Sequence, residues 1–259
     1  MIKAIFFDID GTLVSFKTHQ IPVSTLAALK ELHESGIKLF IATGRPWSLI
    51  NNLGDLPFDA YVTVNGGHCF TAQQEEIYKS PIPQEDIERL IAHEEEYPTS
   101  FVAVYNNQLV INRVNERVEQ IANLIKIPTP HLAPLSEARN KEVLQLMGYF
   151  TSDEEQDIFK QVLPNCEPMR WHPLFTDIVA KGNSKSKGID EVLNYFNLPL
   201  EECMAFGDGG NDIPMLQHVP HSVAMGNATD EVKRTARYVT TSVDEDGIAT
   251  ALKKFGLIK

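Results

Sequence analysis

Ile5-Phe6-Phe7-Asp8-Ile9-Asp10-Gly11-Thr12-Leu13 is the stretch on which the reading of this chain turns. An apolar run stops abruptly at two carboxylates spaced one residue apart, and Gly and Thr follow at once. Residues 2–7 predict a buried parallel strand, because aliphatic and aromatic side chains run almost without interruption. In open α/β sheets ligands sit just beyond the carboxyl ends of the strands, which puts Asp8 and Asp10 at the mouth of a site. Unit charges 4 Å apart repel by about 4 kcal/mol at an effective dielectric of 20, so the pair needs a proton or a cation. Acid–base chemistry or metal binding is the first reading of that need, and an ordinary surface turn the alternative.

Similar apolar runs recur along the chain with polar or Gly-rich ends. Residues 37–42 lead into Thr43-Gly44-Arg45, and residues 60–64 into Asn65-Gly66-Gly67. Residues 202–206 lead into Gly207-Asp208-Gly209-Gly210-Asn211-Asp212, and residues 222–225 into Gly226. Helical periodicity lies between them, over 24–35, 186–196, 212–218 and 230–236. Strands alternating with helices predict an α/β fold with a doubly wound, mostly parallel sheet.

The middle of the chain breaks this alternation at Ser80-Pro81-Ile82-Pro83. A helix over 84–97, strands over 101–105 and 109–112 around an Asn106-Asn107 turn, and a helix over 115–125 are expected. Pro128, Pro130 and Pro134 follow, then a strand near 143–149, a helix over 153–163 and strands over 166–171 and 174–179. Helix–strand–strand thus occurs twice, which predicts an inserted α+β domain of two similar units. The expected division is a discontinuous core of residues 1–81 and 183–259, with residues 82–182 inserted.

Composition narrows the function. With 259 residues, 43% of them hydrophobic, and a net charge of −12, the chain is an ordinary acidic globular protein. It has no Lys/Arg-rich run, so neither nucleic acid nor a membrane surface is an expected partner. Cys69, Cys166 and Cys203 show no CxxC spacing and read as buried free thiols of a reducing compartment. The first apolar run is too short for a signal peptide or a span, so a cytoplasmic location is expected. HExxH, GxSxG and GxxxxGK[ST] are all missing from the sequence, which leaves zinc-protease, serine-hydrolase and P-loop chemistry without their signatures.

Four segments then converge in chemical type. Asp8 and Asp10 end the first strand, and Thr43 and Gly44 offer a hydroxyl and an open backbone after the second. Gly182-Asn183-Ser184-Lys185-Ser186-Lys187-Gly188 opens a helix with ammonium groups beside its amides. Asp208, Asn211 and Asp212 decorate a glycine turn. Several carboxylates with Lys, Thr and Gly suit a divalent metal and a phosphate, Mg²⁺ above all.

On these residues the chain resembles the haloacid dehalogenase superfamily, and within it the Cof-type sugar phosphatases with a large cap. Asp8 to Thr12 match DxDGT, Thr43 to Pro46 match the Thr-Gly-Arg-Pro form of the second motif, and Asp208, Asn211 and Asp212 match GDxxND. The long interval after the second motif is where that family carries its larger cap. The resemblance implies a Rossmann-like core and a phosphatase of small phosphomonoesters, with sugar phosphates as the expected substrates. It implies Asp8 as nucleophile forming an aspartyl-phosphate, and Asp10 as general acid–base. Mg²⁺ would be held by Asp8, the Asp10 carbonyl and Asp208, with Asp212 beside them. Thr43, Gly44, Lys185, Asn211 and the Ile9 amide would hold phosphoryl oxygens. Aligning Gly-x-x-Lys on Gly182 selects Lys185, whereas aligning Lys-Gly selects Lys187; the following helix fits Lys185 better. Arg45 stays open between a structural ion pair and a cap contact, and Asn65 between a turn and the site. Arg170, Trp171, His172 and Asp177 are expected on a solvated hairpin, with a grip on a sugar as the alternative. A phosphomutase using the same intermediate and a non-catalytic phosphate sensor are the alternatives. The chain is expected to be a monomer or a weak homodimer.

Overall fold

The computed structural model describes residues 1–94, 96, 99–125 and 129–259. The chain begins with β1 (Ala4–Phe7), α1 (Val23–Glu34), β2 (Lys38–Ala42), β3 (Ala60–Thr63), β4 (His68–Thr71) and β5 (Glu76–Lys79). The middle holds α2 (Gln84–Ala92), β6 (Phe101–Tyr105), β7 (Gln108–Ile111), α3 (Glu116–Ile125), β8 (His131–Leu132), β9 (Gln145–Gly148), α4 (Ser152–Asp157), β10 (Cys166–His172) and β11 (Phe175–Ala180). It closes with α5 (Lys185–Phe196), β12 (Cys203–Gly207), α6 (Ile213–His218), β13 (His221–Ala224), α7 (Asp230–Thr235), β14 (Tyr238–Val239) and α8 (Gly247–Lys254). Among the described residues no helix is long and apolar enough to cross a membrane.

Two compact units result. Met1–Arg45, Ile50–Tyr78 and Ser184–Lys259 form one, and Pro46–Leu49 with Lys79–Asn183 the other. The short segment 46–49, with residues 79–81 and 183 at the two boundaries, therefore departs from the expected division. Leu49 packs with the cluster of Val102, Val104, Met147 and Phe175, and that burial draws the segment into the second unit.

The first unit is built on an eight-stranded sheet of order β14-β13-β12-β1-β2-β3-β4-β5. Every pairing from β14 to β3 is parallel, and β4 turns back antiparallel on β3. All four residues of β1 are fully buried, and the alternation of side chains explains why none is polar. Ile5 and Phe7 face a cluster with Leu29 and Leu32 of α1 and Ile248 and Leu252 of α8. Ala4 and Phe6 face Ile189, Val192 and Leu193 of α5 on the other side. Phe7 stacks on Phe206 of β12 with ring centroids 5.3 Å apart, locking the two strands that end in carboxylates.

The second unit carries a six-stranded sheet, β10-β11-β9-β6-β7-β8. The hairpins β6-β7 and β10-β11 flank β9, each preceded by a helix, so the doubled helix–strand–strand order is a doubled placement about one strand. The helix expected over 84–97 ends at Ala92, where His93 Nδ1 meets the Arg89 carbonyl at 2.8 Å. Residues 95 and 97 of that expected span lie outside the described residues, as does Pro128. The helix expected over 153–163 is α-helical only to Asp157 and continues as a π-helical turn, Ile158–Val162. The expected solvated hairpin is half-buried instead. Arg170 spends its guanidinium on the Phe150 and Phe175 carbonyls and Glu155, while Asp177 is buried beneath Gln145, 3.0 Å away.

β4, β5, β8, β14 and α8 go beyond the sequence expectations. The four strands are short or polar at their ends, which blurs a period-2 signal. Helix α8 follows a Ser242–Glu245 capping box and buries Ile248, Ala249, Ala251 and Leu252.

Candidate active site

Strands β12, β1 and β2 are neighbours in the middle of the sheet and run the same way, so their C-terminal ends bring three of the sequence motifs together. Asp8 continues β1, its amide donating to the Phe206 carbonyl at 3.0 Å. Thr43 continues β2, donating to the Val62 carbonyl at 2.8 Å, and Asp208 follows β12 directly. The first turn of α5 adds the fourth. Ser184 caps that helix, its hydroxyl accepting from the Lys187 amide at 3.2 Å, and Lys185 enters the core.

Lys185 is wholly buried and donates to Asp8 Oδ1 at 2.6 Å and to Asp212 Oδ1 at 2.5 Å. Asp212 Oδ2 accepts from the amides of Asp208 and Gly209, both at 2.8 Å, which shapes the glycine turn around Asp208. Asp208 is held at both oxygens: Thr12 Oγ1 donates to Oδ1 at 2.8 Å and Asn227 Nδ2 to Oδ2 at 3.1 Å. Gly11 makes that approach possible. It has φ +83°, and a Cβ there would lie 2.2 Å from Asp208 Oδ2. Lys187 is elsewhere, pairing with Glu191 at 2.5 Å over the ring of Tyr78, so Lys185 is the lysine at the strand ends.

Three carboxylates therefore face one ammonium. Burial raises the Asp8 pKa to about 7, opposed by Lys185 and reinforced by repulsion from Asp212 and Asp10. Asp208 is pushed well above the ordinary carboxylate range by burial and then by Asp8 and Asp212. Burial works against the Lys185 ammonium, but Asp212 and Asp8 outweigh it and raise its pKa. Asp8, Asp208 and Asp212 each offer an oxygen within 4.8 Å of the others. A hard, oxygen-only donor set with surplus negative charge fits a divalent cation of the Mg²⁺ type, which would relieve the repulsion.

Asp10 makes a different pair. Arg45 grips it with both arms, Nε to Oδ2 at 2.6 Å and Nη2 to Oδ1 at 2.7 Å, a fork geometry that a lysine could not reproduce. Thr43 is buried, and its Oγ1 accepts from the Arg45 amide at 3.1 Å. The Ile9 carbonyl accepts from Val14 at 2.7 Å, while the amides of Ile9 and Gly44 donate to no group among the described residues. Asn211 donates from Nδ2 to Asn65 Oδ1 at 3.0 Å.

Asn227 was not among the sequence candidates. Its Nδ2 also donates to the Gly11 carbonyl at 2.9 Å and its Oδ1 accepts from Val243 at 3.0 Å, so one carboxamide ties three loops to Asp208. Met225-Gly226-Asn227 follows β13 as the other motifs follow their strands, and that strand-end position was the available signal.

A family model described as haloacid dehalogenase-like hydrolase matches residues 5–252. A Bacillus subtilis (strain 168) protein, YkrA, provisionally named a phosphatase, is 38% identical over 260 residues, covering 99% of each chain. Among solved structures, the HAD subclass IIB sugar phosphatase BT4131 is 47% identical with a TM-score of 0.92, covering 99% of this chain and 100% of that one. BT1666 of Bacteroides thetaiotaomicron, from a study of phosphatases of the haloalkanoate enzyme superfamily, is 39% identical with a TM-score of 0.92, covering 100% and 96%.

Proposed function

This chain belongs to the haloacid dehalogenase-like hydrolases, and from that premise we propose that it is a Mg²⁺-dependent phosphatase of small phosphomonoesters, chiefly sugar phosphates. The observation that carries the reading is Asp8. It is buried at a strand end, held at Oδ1 by Lys185, and its Oδ2 accepts no hydrogen bond among the described residues. A carboxylate so held has one oxygen fixed and one available for attack on phosphorus.

In the proposed reaction Asp8 forms a bond to phosphorus as the bond to the leaving alcohol breaks, giving an aspartyl-phosphate. Asp10 delivers the proton to the alcohol and then takes one from the water that hydrolyses the intermediate. Arg45 matches the second of these tasks, holding the carboxylate in place; the first requires the carboxyl to turn away from the guanidinium. Lys185, Thr43, Asn211 and the amides of Ile9 and Gly44 supply donors for the phosphoryl oxygens. Asp8, Asp208 and the Asp10 carbonyl would hold Mg²⁺, with Asp212 bracing the turn, and the ion would supply charge neutralisation for the phosphate dianion. The likeness to a sugar phosphatase at 47% identity supports sugar phosphates as the substrate class. Three unpaired buried cysteines support a cytoplasmic location.

Phosphate release from a panel of sugar phosphates, nucleotides and p-nitrophenyl phosphate, with Mg²⁺ and with EDTA, tests the proposal. Metal-dependent release of inorganic phosphate is expected, lowered about 10⁴-fold or more in a folded Asp8→Asn variant. An isomeric sugar phosphate as product would make the enzyme a mutase, and near-normal turnover in Asp8→Asn would end the proposed mechanism.

A further inference from the structure

Beyond the end of β3 the backbone does something costly. Val64, Asn65 and Gly66 all have positive φ, at 46°, 52° and 91°. For Gly and Asn this region is accessible, but for a β-branched valine it is a true outlier that surrounding contacts must hold in place. Those contacts reach the candidate active site from three directions. The Val64 and Asn65 amides donate to the carbonyls of Arg45 at 3.2 Å and Thr43 at 3.1 Å, bracing the second motif. Gly66 lies against the start of α5, where a Cβ would sit 2.0 Å from the Ser184 carbonyl. The Asn65 side chain, fully buried, accepts from Asn211 Nδ2.

An Asn carboxamide can rotate, and its two N–H bonds point in fixed directions only if something holds one of them. Asn65 Oδ1 engages one N–H of Asn211 and leaves the other to be aimed. We infer that Asn65 is a positioning residue: its strained turn presents a buried oxygen that orients the Asn211 carboxamide toward the phosphoryl group before substrate arrives. The inference rests on the proposed role of Asn211 as a phosphoryl ligand.

Asn65→Gly is the informative variant, because glycine keeps the left-handed backbone and removes only the carboxamide. Inorganic phosphate, as a competitor of p-nitrophenyl phosphate, gives an inhibition constant for the wild type, Asn65→Gly, Asn211→Ala and the double variant. Asn65→Gly should raise that constant about tenfold, and the double variant should stay within about twofold of Asn211→Ala alone. Multiplying effects, or an Asn65→Gly variant within twofold of wild type, would overturn the inference while leaving Asn211 as a ligand. An Asn211→Ala variant that binds phosphate normally would overturn both that role and the inference. The wild type offers a check that needs no variant. Side-chain ¹⁵N relaxation without phosphate should show a rigid Asn211 amide, with an order parameter near 0.85, and a value below about 0.6 would refute pre-orientation.

Discussion

Two buried aspartates, one in each unit, show how the same side chain serves opposite purposes. Asp86, in the first turn of α2, is wholly buried, and both of its oxygens are filled. Arg89 and Asn165 Nδ2 donate to Oδ1, and the Asn165 amide and Cys166 Sγ to Oδ2, at 2.9 Å and 3.4 Å. Four donors use up its capacity, and the result is a staple between α2 and the start of β10. Asp8 is also buried, yet among the described residues it receives one donor, and it faces the carboxylates of Asp208 and Asp212. A saturated carboxylate holds structure; an unsaturated one among like charges is poised for a ligand.

Removing the counter-charge strains this contrast most. Lys185→Met would leave Asp8 and Asp212 without their shared cation, and unfolding in urea is expected to show a loss of about 3–5 kcal/mol. Adding Asp212→Asn should restore part of it; a Lys185→Met protein as stable as wild type would mean that the cluster does not bear net negative charge. Next in size comes the metal. At a hundred times its dissociation constant Mg²⁺ should stabilise the wild type by about 2.7 kcal/mol, an effect that EDTA reverses and Asp208→Asn abolishes. The saturated site should behave oppositely. Asp86→Asn is expected to cost about 1–3 kcal/mol in urea unfolding while phosphatase turnover stays within about twofold, since it breaks the staple and leaves the carboxylate cluster unchanged.

The smallest effect belongs to an exposed carboxylate, Glu154. Its pKa is lowered to about 2 by hydrogen bonds from Arg117 and the Thr151 amide, at 2.8 Å and 2.7 Å. A folded-state pKa below the unfolded value gives stability that is present above about pH 4.5 and lost as pH falls through about 2. Screening holds its size to about 0.5 kcal/mol. Thermal melts of Glu154→Gln should therefore differ from wild type at neutral pH and converge with it in acid.

Much of this site could be read along the chain, because chemistry concentrated in short motifs leaves local marks. Asp8, Asp10, Thr43 and Asp208 each follow an apolar run that becomes a central strand, and adjacent parallel strands bring their ends together. Lys185 and Lys187 were harder to separate, being two residues apart on one helix. Only packing turns the first inward to Asp8 and the second outward to Glu191. Arg45 was visible as a motif residue, but its grip on Asp10 depends on the distance between two loops.

Sequence alone determined the α/β alternation, the inserted α+β segment and the residue types gathered at the strand ends, since each is a matter of local pattern. Tertiary structure decided which groups meet. Asn65 lies 146 residues from the carboxamide it holds, and Asn227 is one strand and one helix beyond the carboxylate it holds; both hydrogen bonds exist only once the sheet has set its strands side by side. The raised pKa of Asp8 is likewise tertiary. A pKa raised to about 7 reflects burial and the sum of neighbouring charges, neither of which any single stretch of sequence contains.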